Sequence, residues 1–156
     1  MTRRRRLSTV ACVVGLGAAT LACSGLLDDL EPWMFQGFSL APGFEPDPAI
    51  GNGLSGGPVD AAPFGTTPFG PCVGQVDNTP DHHLEVTAPF DHLRVAVRSE
   101  ADTSLVVHGP DGWRCSDGPD PAIAGAWPSG RYEIYVGSRG PGHHRYEILL
   151  SQEAGP

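Results

Sequence analysis

Pro128-Ser129-Gly130-Arg131-Tyr132-Glu133-Ile134-Tyr135-Val136 decides the fold class of this chain. A Pro-Ser-Gly turn opens the stretch, and Tyr132, Ile134 and Val136 then recur at every second position. Side chains of a strand alternate between faces, so a period of two marks a strand with one face on a core. The same period runs outward on both sides. Upstream, Leu84 and Val86 alternate with polar neighbours, then Leu93, Val95 and Val97, with Arg94 and Arg98 among the outward positions. Leu105 and Val107 follow, then the turn Gly109-Pro110-Asp111-Gly112 and a short strand candidate at Trp113 to Cys115. Downstream, Ser138-Arg139-Gly140-Pro141-Gly142 breaks the chain before Tyr146, Ile148 and Leu150. Short alternating strands separated by turns, with no helical period, predict an all-β domain over residues 70–152, an antiparallel sandwich or barrel. Residues 153–156 are left as a tail.

Before Gly70 the pattern is lost. Pro32, Pro42, Pro46, Pro48, Pro58, Pro63 and Pro68 interrupt every candidate element, and Gly51-Asn52-Gly53 with Gly56-Gly57 adds further breaks. Residues 23–69 therefore read as a disordered, flexible Pro/Gly-rich tether, with room for one helical turn over Leu26 to Leu30. One feature is unusual for a tether. Five of the six Phe residues (Phe35, Phe38, Phe44, Phe64 and Phe69) lie here, beside Trp33 and Met34, whereas disordered linkers are poor in aromatics. Three readings stay open: Trp33-Met34-Phe35 dips into lipid headgroups, Phe64 and Phe69 tuck against the domain, or the aromatics dock a partner.

The N-terminus carries an address. Arg3 to Arg6 form a positive region, and Leu7 to Ala22 is apolar, uncharged and shorter than the roughly 20 residues of a membrane-spanning helix. These proportions predict a signal peptide over residues 1–22. Thr20-Leu21-Ala22-Cys23 resembles the bacterial lipobox, with Thr20 standing where Leu is usual. That resemblance implies a lipoprotein with acyl chains, palmitate among them, on Cys23, which would then be the first residue of the mature chain. Several acyl chains hold a protein firmly, at about 0.8 kcal/mol per buried CH₂. The expected location is the cell envelope, lipid-anchored, and Ser24 after the cysteine favours the outer membrane in a Gram-negative cell.

Charge narrows the partners. The chain has a formal charge of -8, but four of its ten basic residues are Arg3 to Arg6 and all eighteen acids lie beyond them, so cleavage leaves −12. Nucleic acid and a bare anionic membrane both require a basic footprint, so neither is expected as a direct partner. Membrane contact is expected through the covalent lipid on Cys23.

Asp102-Thr103-Ser104-Leu105-Val106-Val107, then Gly109-Pro110-Asp111-Gly112, then Ser129-Gly130-Arg131-Tyr132-Glu133-Ile134-Tyr135-Val136-Gly137, resemble the bacterial pre-peptidase C-terminal domain over residues 71–152. The resemblance implies a small jelly-roll-like β-sandwich carried by secreted proteins, without catalytic equipment. Family members place an acidic cluster after the hairpin. Here that stretch is Cys115-Ser116-Asp117-Gly118 with Asp120 nearby, one carboxylate where more are usual, so no calcium site is carried over.

Cys72 and Cys115 are the two cysteines of the folded part, and an exported domain sits in an oxidising compartment, so a disulfide between them is expected. Six histidines (His82, His83, His92, His108, His143 and His144) lie in the domain. Adjacent residues of a strand face opposite ways, so each His-His pair offers one ligand per face, and the histidines are read as solvated edge residues with no metal site and no cofactor. No nucleophile elbow, His-Glu-x-x-His or phosphate loop is present, so no enzyme is expected. Two functions remain: a lipid-anchored binding or adhesion module for an envelope protein or glycan, with Trp113, Trp127 and Tyr135 either candidate contacts or, for most of them, core residues, or a structural or assembly component of the envelope with no small ligand.

Overall fold

The computed structural model describes residues 37–153. The expected signal peptide, the lipid acceptor Cys23, the Leu26 to Leu30 turn and Trp33-Met34-Phe35 lie outside the described residues. In chain order the strands are β1 (Gly37–Leu40), β2 (Ala49–Leu54), β3 (Val59–Asp60), β4 (Thr66–Thr67), β5 (Gly70–Pro71), β6 (Gln75–Val76) and β7 (His82–Val86). They continue with β8 (Phe90–Ser99), β9 (Thr103–Gly109), β10 (Gly112–Gly118), β11 (Ala122–Trp127), β12 (Gly130–Ser138) and β13 (Arg145–Ser151). One 3₁₀ turn, Ala62–Phe64, is the sole helical element among the described residues.

The strands form a β-sandwich. In the main sheet β1, β7, β12, β9 and β10 lie side by side, and β6 followed by β3 continues along β12 beyond the end of β7. The facing sheet runs β11-β8-β13-β2, and β4 with β5 makes a small separate hairpin. All pairings are antiparallel except β1 with β7. The alternating residues meet between the sheets. Leu84, Val86, Leu105, Val107, Tyr132, Ile134 and Val136 face Leu93, Val95, Val97, Tyr146, Ile148 and Leu150 in one buried cluster. Each such side chain contributes roughly 1.5–3 kcal/mol by leaving water.

β11 carries no alternation that the sequence reading recognised, yet it supplies Ile123 and Trp127 to this core. The Trp127 indole N–H donates to Leu93 O at 2.9 Å, and its ring meets Tyr132 edge-on with centroids 5.0 Å apart. Above it lies the buried Arg114 guanidinium, 4.5 Å from the ring, donating twice to Ala126 O at 3.1 Å and paired with Asp111. Tyr132 donates its hydroxyl back to Pro128 O at 2.8 Å, which pins the Pro-Ser-Gly turn to the strand it starts.

The expected tether over residues 23–69 requires correction from residue 37 onward, because residues 37–69 are folded into the sandwich. The boundary at Gly70 falls inside a hairpin, since Thr66 pairs with Pro71 and Thr67 with Gly70 around Pro68-Phe69. The physical reason lies in where the Gly and Pro residues sit. Pro42, Pro46 and Pro48 occupy the connection between β1 and β2, and Pro63 sits in the 3₁₀ turn, so none breaks a ladder. Gly51-Asn52-Gly53 belongs to β2, an edge strand paired with β13. A Cβ at Gly53 would lie 2.3 Å from the Tyr146 hydroxyl, so the glycine makes room for the ring opposite it.

The same segment covers part of the outer face of the main sheet. Ala61, Cys72, Val76, Val106 and Cys115 form a second buried cluster, against which Val59, Phe64, Trp113 and Tyr135 pack. This is why Val106 is buried although Leu105 and Val107 point the other way. Cys72 and Cys115 are bonded, with Cα atoms 5.0 Å apart, and tie this covering layer to β10.

Candidate functional site

The rest of the outer face is bare. Since Leu84 and Val86 of β7 point inward, His83 and Glu85 point outward, and the same alternation on β12 presents Arg131, Glu133 and Tyr135. Strand register then aligns one residue per strand. His83 of β7 pairs with Glu133 of β12, Glu133 pairs with His108 of β9, and His108 pairs with Trp113 of β10. In the adjacent row Ser39 of β1 lies opposite Glu85, and Glu85 opposite Arg131. Phe38, Ser39, His83, Glu85, His108, Arg131 and Glu133 line an open groove of about 850 Å³.

Glu133 is its polar centre. Its Oε2 accepts from the Tyr135 hydroxyl at 3.3 Å and stands 3.7 Å from His108 Nδ1. Burial pushes the Tyr135 hydroxyl above its ordinary pKa, and the Glu133 charge adds to that, so it stays a donor to the carboxylate. Beyond His108, the Trp113 ring is packed on both faces. Phe64 stacks on one side with centroids 4.2 Å apart, and the His108 imidazole lies 4.4 Å away. Chemically the groove offers two imidazoles, two carboxylates and one guanidinium to solvent, suited to hydrogen bonding and ion binding.

The candidate aromatic contacts are placed differently from the binding-face expectation. Trp127 is fully buried in the core, and Trp113 and Tyr135 are half-buried with the Trp113 ring faces occupied. The tether aromatics Phe38 and Phe44 pack on the main core, and Phe69 lies over Arg114 with its ring centre 5.4 Å away. Their density in a Gly/Pro-rich stretch was the signal that this stretch folds.

The histidines divide. His82 corrects the solvated-edge reading: it is buried, shares a 2.9 Å hydrogen bond with the Tyr146 hydroxyl and packs against the Phe38 ring. His143 Nδ1 lies 2.9 Å from Ser55 O, and the His144 backbone N–H donates to the Ser55 hydroxyl at 3.3 Å, so this pair holds the covering segment. As the side chains stand, no three His, Cys, Asp or Glu residues converge on a common point among the described residues. Asp117 is paired with Arg139 at 3.2 Å and borders a smaller cleft of about 380 Å³ with Glu100 and Asp102, while Asp120 is exposed outside it.

Asp81 was not singled out by its sequence context. It directly precedes β7, beside the step of the β12 edge that lies between the stretch paired with β7 and the one paired with β6. Its Oδ2 accepts from the Val136 N–H at 2.8 Å, and Gly56 N–H donates to Val136 O at 3.0 Å. A side chain and the covering segment together replace the missing strand. Burial pushes the Asp81 carboxyl up to about 7, and the charge of Asp77 acts in the same direction.

No family model matches the chain. An uncharacterised protein of Synechococcus elongatus is 33% identical over 85 residues, and the match spans 50% of this chain and 63% of that relative's length. Among solved structures, the pre-peptidase C-terminal domain of a collagenase from Bacillus anthracis aligns with a TM-score of 0.46 and 13% identity, over 74% of this chain and 95% of that one.

Proposed function

We propose that this chain is an exported protein, held at the cell envelope by lipid on Cys23, that displays its sandwich as a non-catalytic binding module. The observation that carries the reading is the Cys72–Cys115 bond, buried in the second cluster. Stable disulfides belong to oxidising compartments, the destination that the charged and apolar N-terminal stretch leads to. The surface offered to a partner is the groove of His83, Glu85, His108, Arg131 and Glu133, which engages an envelope protein or glycan by hydrogen bonds and charge. Ring stacking on Trp113 does not contribute, because both faces of that ring are occupied.

The test is metabolic labelling with an alkyne fatty acid in a bacterium that expresses the full chain. Label on the wild type, its loss in Cys23→Ser, and movement of that variant into the soluble fraction support the reading. An unlabelled wild type, or a Cys23→Ser variant that stays with the membrane, overturns it.

A further inference from the structure

We infer that His83, Glu133 and His108 form a binding site for one divalent transition-metal ion of the zinc class. The inference deepens the binding-module reading and rests on it only for the choice of face.

Register carries the argument. The three residues occupy one straight row across β7, β12 and β9, each Cα directly paired with the next, and all point outward. Neighbouring strands lie about 4.8 Å apart, so the two histidine Cα atoms are about 10 Å apart with Glu133 between them. An imidazole nitrogen with a metal bond of about 2.0 Å spans half that gap, so both rings reach an ion held above Glu133. Two imidazoles and a carboxylate are a zinc-type donor set that leaves a fourth position open.

The surroundings favour assembly. His108 and Glu133 side chains are 46% and 45% exposed and already lean together at 3.7 Å, so side-chain rotation without movement of the strands closes the site. Tyr135 donates to Glu133 Oε2 and orients it, the part an outer partner plays for a metal-binding carboxylate. Trp113 packed against His108 limits where that ring can turn. In the neighbouring row Glu85 faces Arg131, so their charges offset and Glu133 supplies the row's negative charge. Three other imidazoles are engaged elsewhere: His82 with the Tyr146 hydroxyl, His143 with Ser55 O and His144 with Pro141 O.

The experiment uses the full chain carrying Cys12→Ser and Cys23→Ser, disulfide formed, so that no free thiol competes for the metal. Titration calorimetry and thermal melts with zinc chloride should give one ion per chain and a midpoint raised by several degrees. His83→Ala and His108→Ala should each weaken binding by at least about tenfold, a scale that even outer partners of metal ligands reach. Glu133→Gln should weaken it as well, while the double variant His143→Ala/His144→Ala binds as the parent does. All these positions lie at or near the surface, and melts without zinc verify that each variant folds. No heat and no shift at saturating zinc, or binding that survives His83→Ala and His108→Ala, overturns the site. Neither outcome touches the membrane partition of Cys23→Ser, so the two readings fail separately.

Discussion

Residues 82–151 and residues 37–76 reach the same sandwich by different physics. The later region is made of long strands whose alternate side chains fill the space between the sheets, and its stability resides in apolar area that each strand brings with it. The earlier region contributes short edge strands, a parallel pairing on β7 and a layer over the outer face. It adds Leu40, Phe38 and Phe44 to the edge of the main core, and its outer layer is held by a few specific links: a disulfide, Gly56 on Val136, Ser55 on the histidine pair, and Phe64 against Trp113. The difference teaches that a Gly/Pro-rich stretch can be structured when a preformed sheet supplies the surface and a few specific links supply the register.

Three experiments break or sharpen this contrast. The largest effect is expected from Trp127→Ala, which empties the centre of the core and removes the lid under Arg114. The loss should reach about 5 kcal/mol in denaturant unfolding, enough to abolish folding of a small domain. A variant that keeps its full stability would show that the core does not depend on this ring.

Removing the disulfide with Cys72→Ser/Cys115→Ser comes next. The bond closes a separation of 43 residues, worth about 4 kcal/mol on the chain-entropy account. The contrast predicts where the loss appears. Amide exchange should rise first across residues 55–76, while β8, β9, β12 and β13 keep their protection. Equal loosening of both regions would make the covering layer part of the core rather than an addition to it.

The smallest effect belongs to Asp81, the side chain that joins the two regions at Val136. Its folded carboxyl sits at about 7 against an ordinary 3.8, so between those values the folded state holds a proton that the unfolded state has lost. Stability from this group is therefore full below pH 4 and declines as pH rises through 7. At about 1.4 kcal/mol per unit the ceiling is about 4 kcal/mol, and relaxation around the charge brings the expected loss to roughly 2 kcal/mol. Asp81→Asn should match the parent at pH 4 and exceed it at pH 8 in thermal melts. Parallel curves across that interval would remove Asp81 from the account.

Much of the fold was legible from particular residues. Leu93, Val95, Val97, Tyr132, Ile134, Val136, Tyr146, Ile148 and Leu150 all enter the core as their period of two required. β11 escaped because Ala122, Ala124 and Ala126 blur the contrast between its faces. Residues 37–69 escaped because their Gly and Pro residues follow loop statistics, while the Tyr146 ring that justifies Gly53 lies far along the chain. Of the candidate groove, the outward direction of His83, Glu85, His108 and Glu133 followed from alternation, but their alignment in one row did not.

The sequence by itself determined the all-β class, the faces of the long strands and the cysteines available to the domain, because each depends on neighbours a few residues away. Only the tertiary structure decided the strand order, the fate of the Gly/Pro-rich segment, the charge behaviour of Asp81 and the alignment of His83, Glu133 and His108 in one row. Those depend on register between distant strands, which is fixed when the two apolar faces close on each other and is written in no single stretch of the chain.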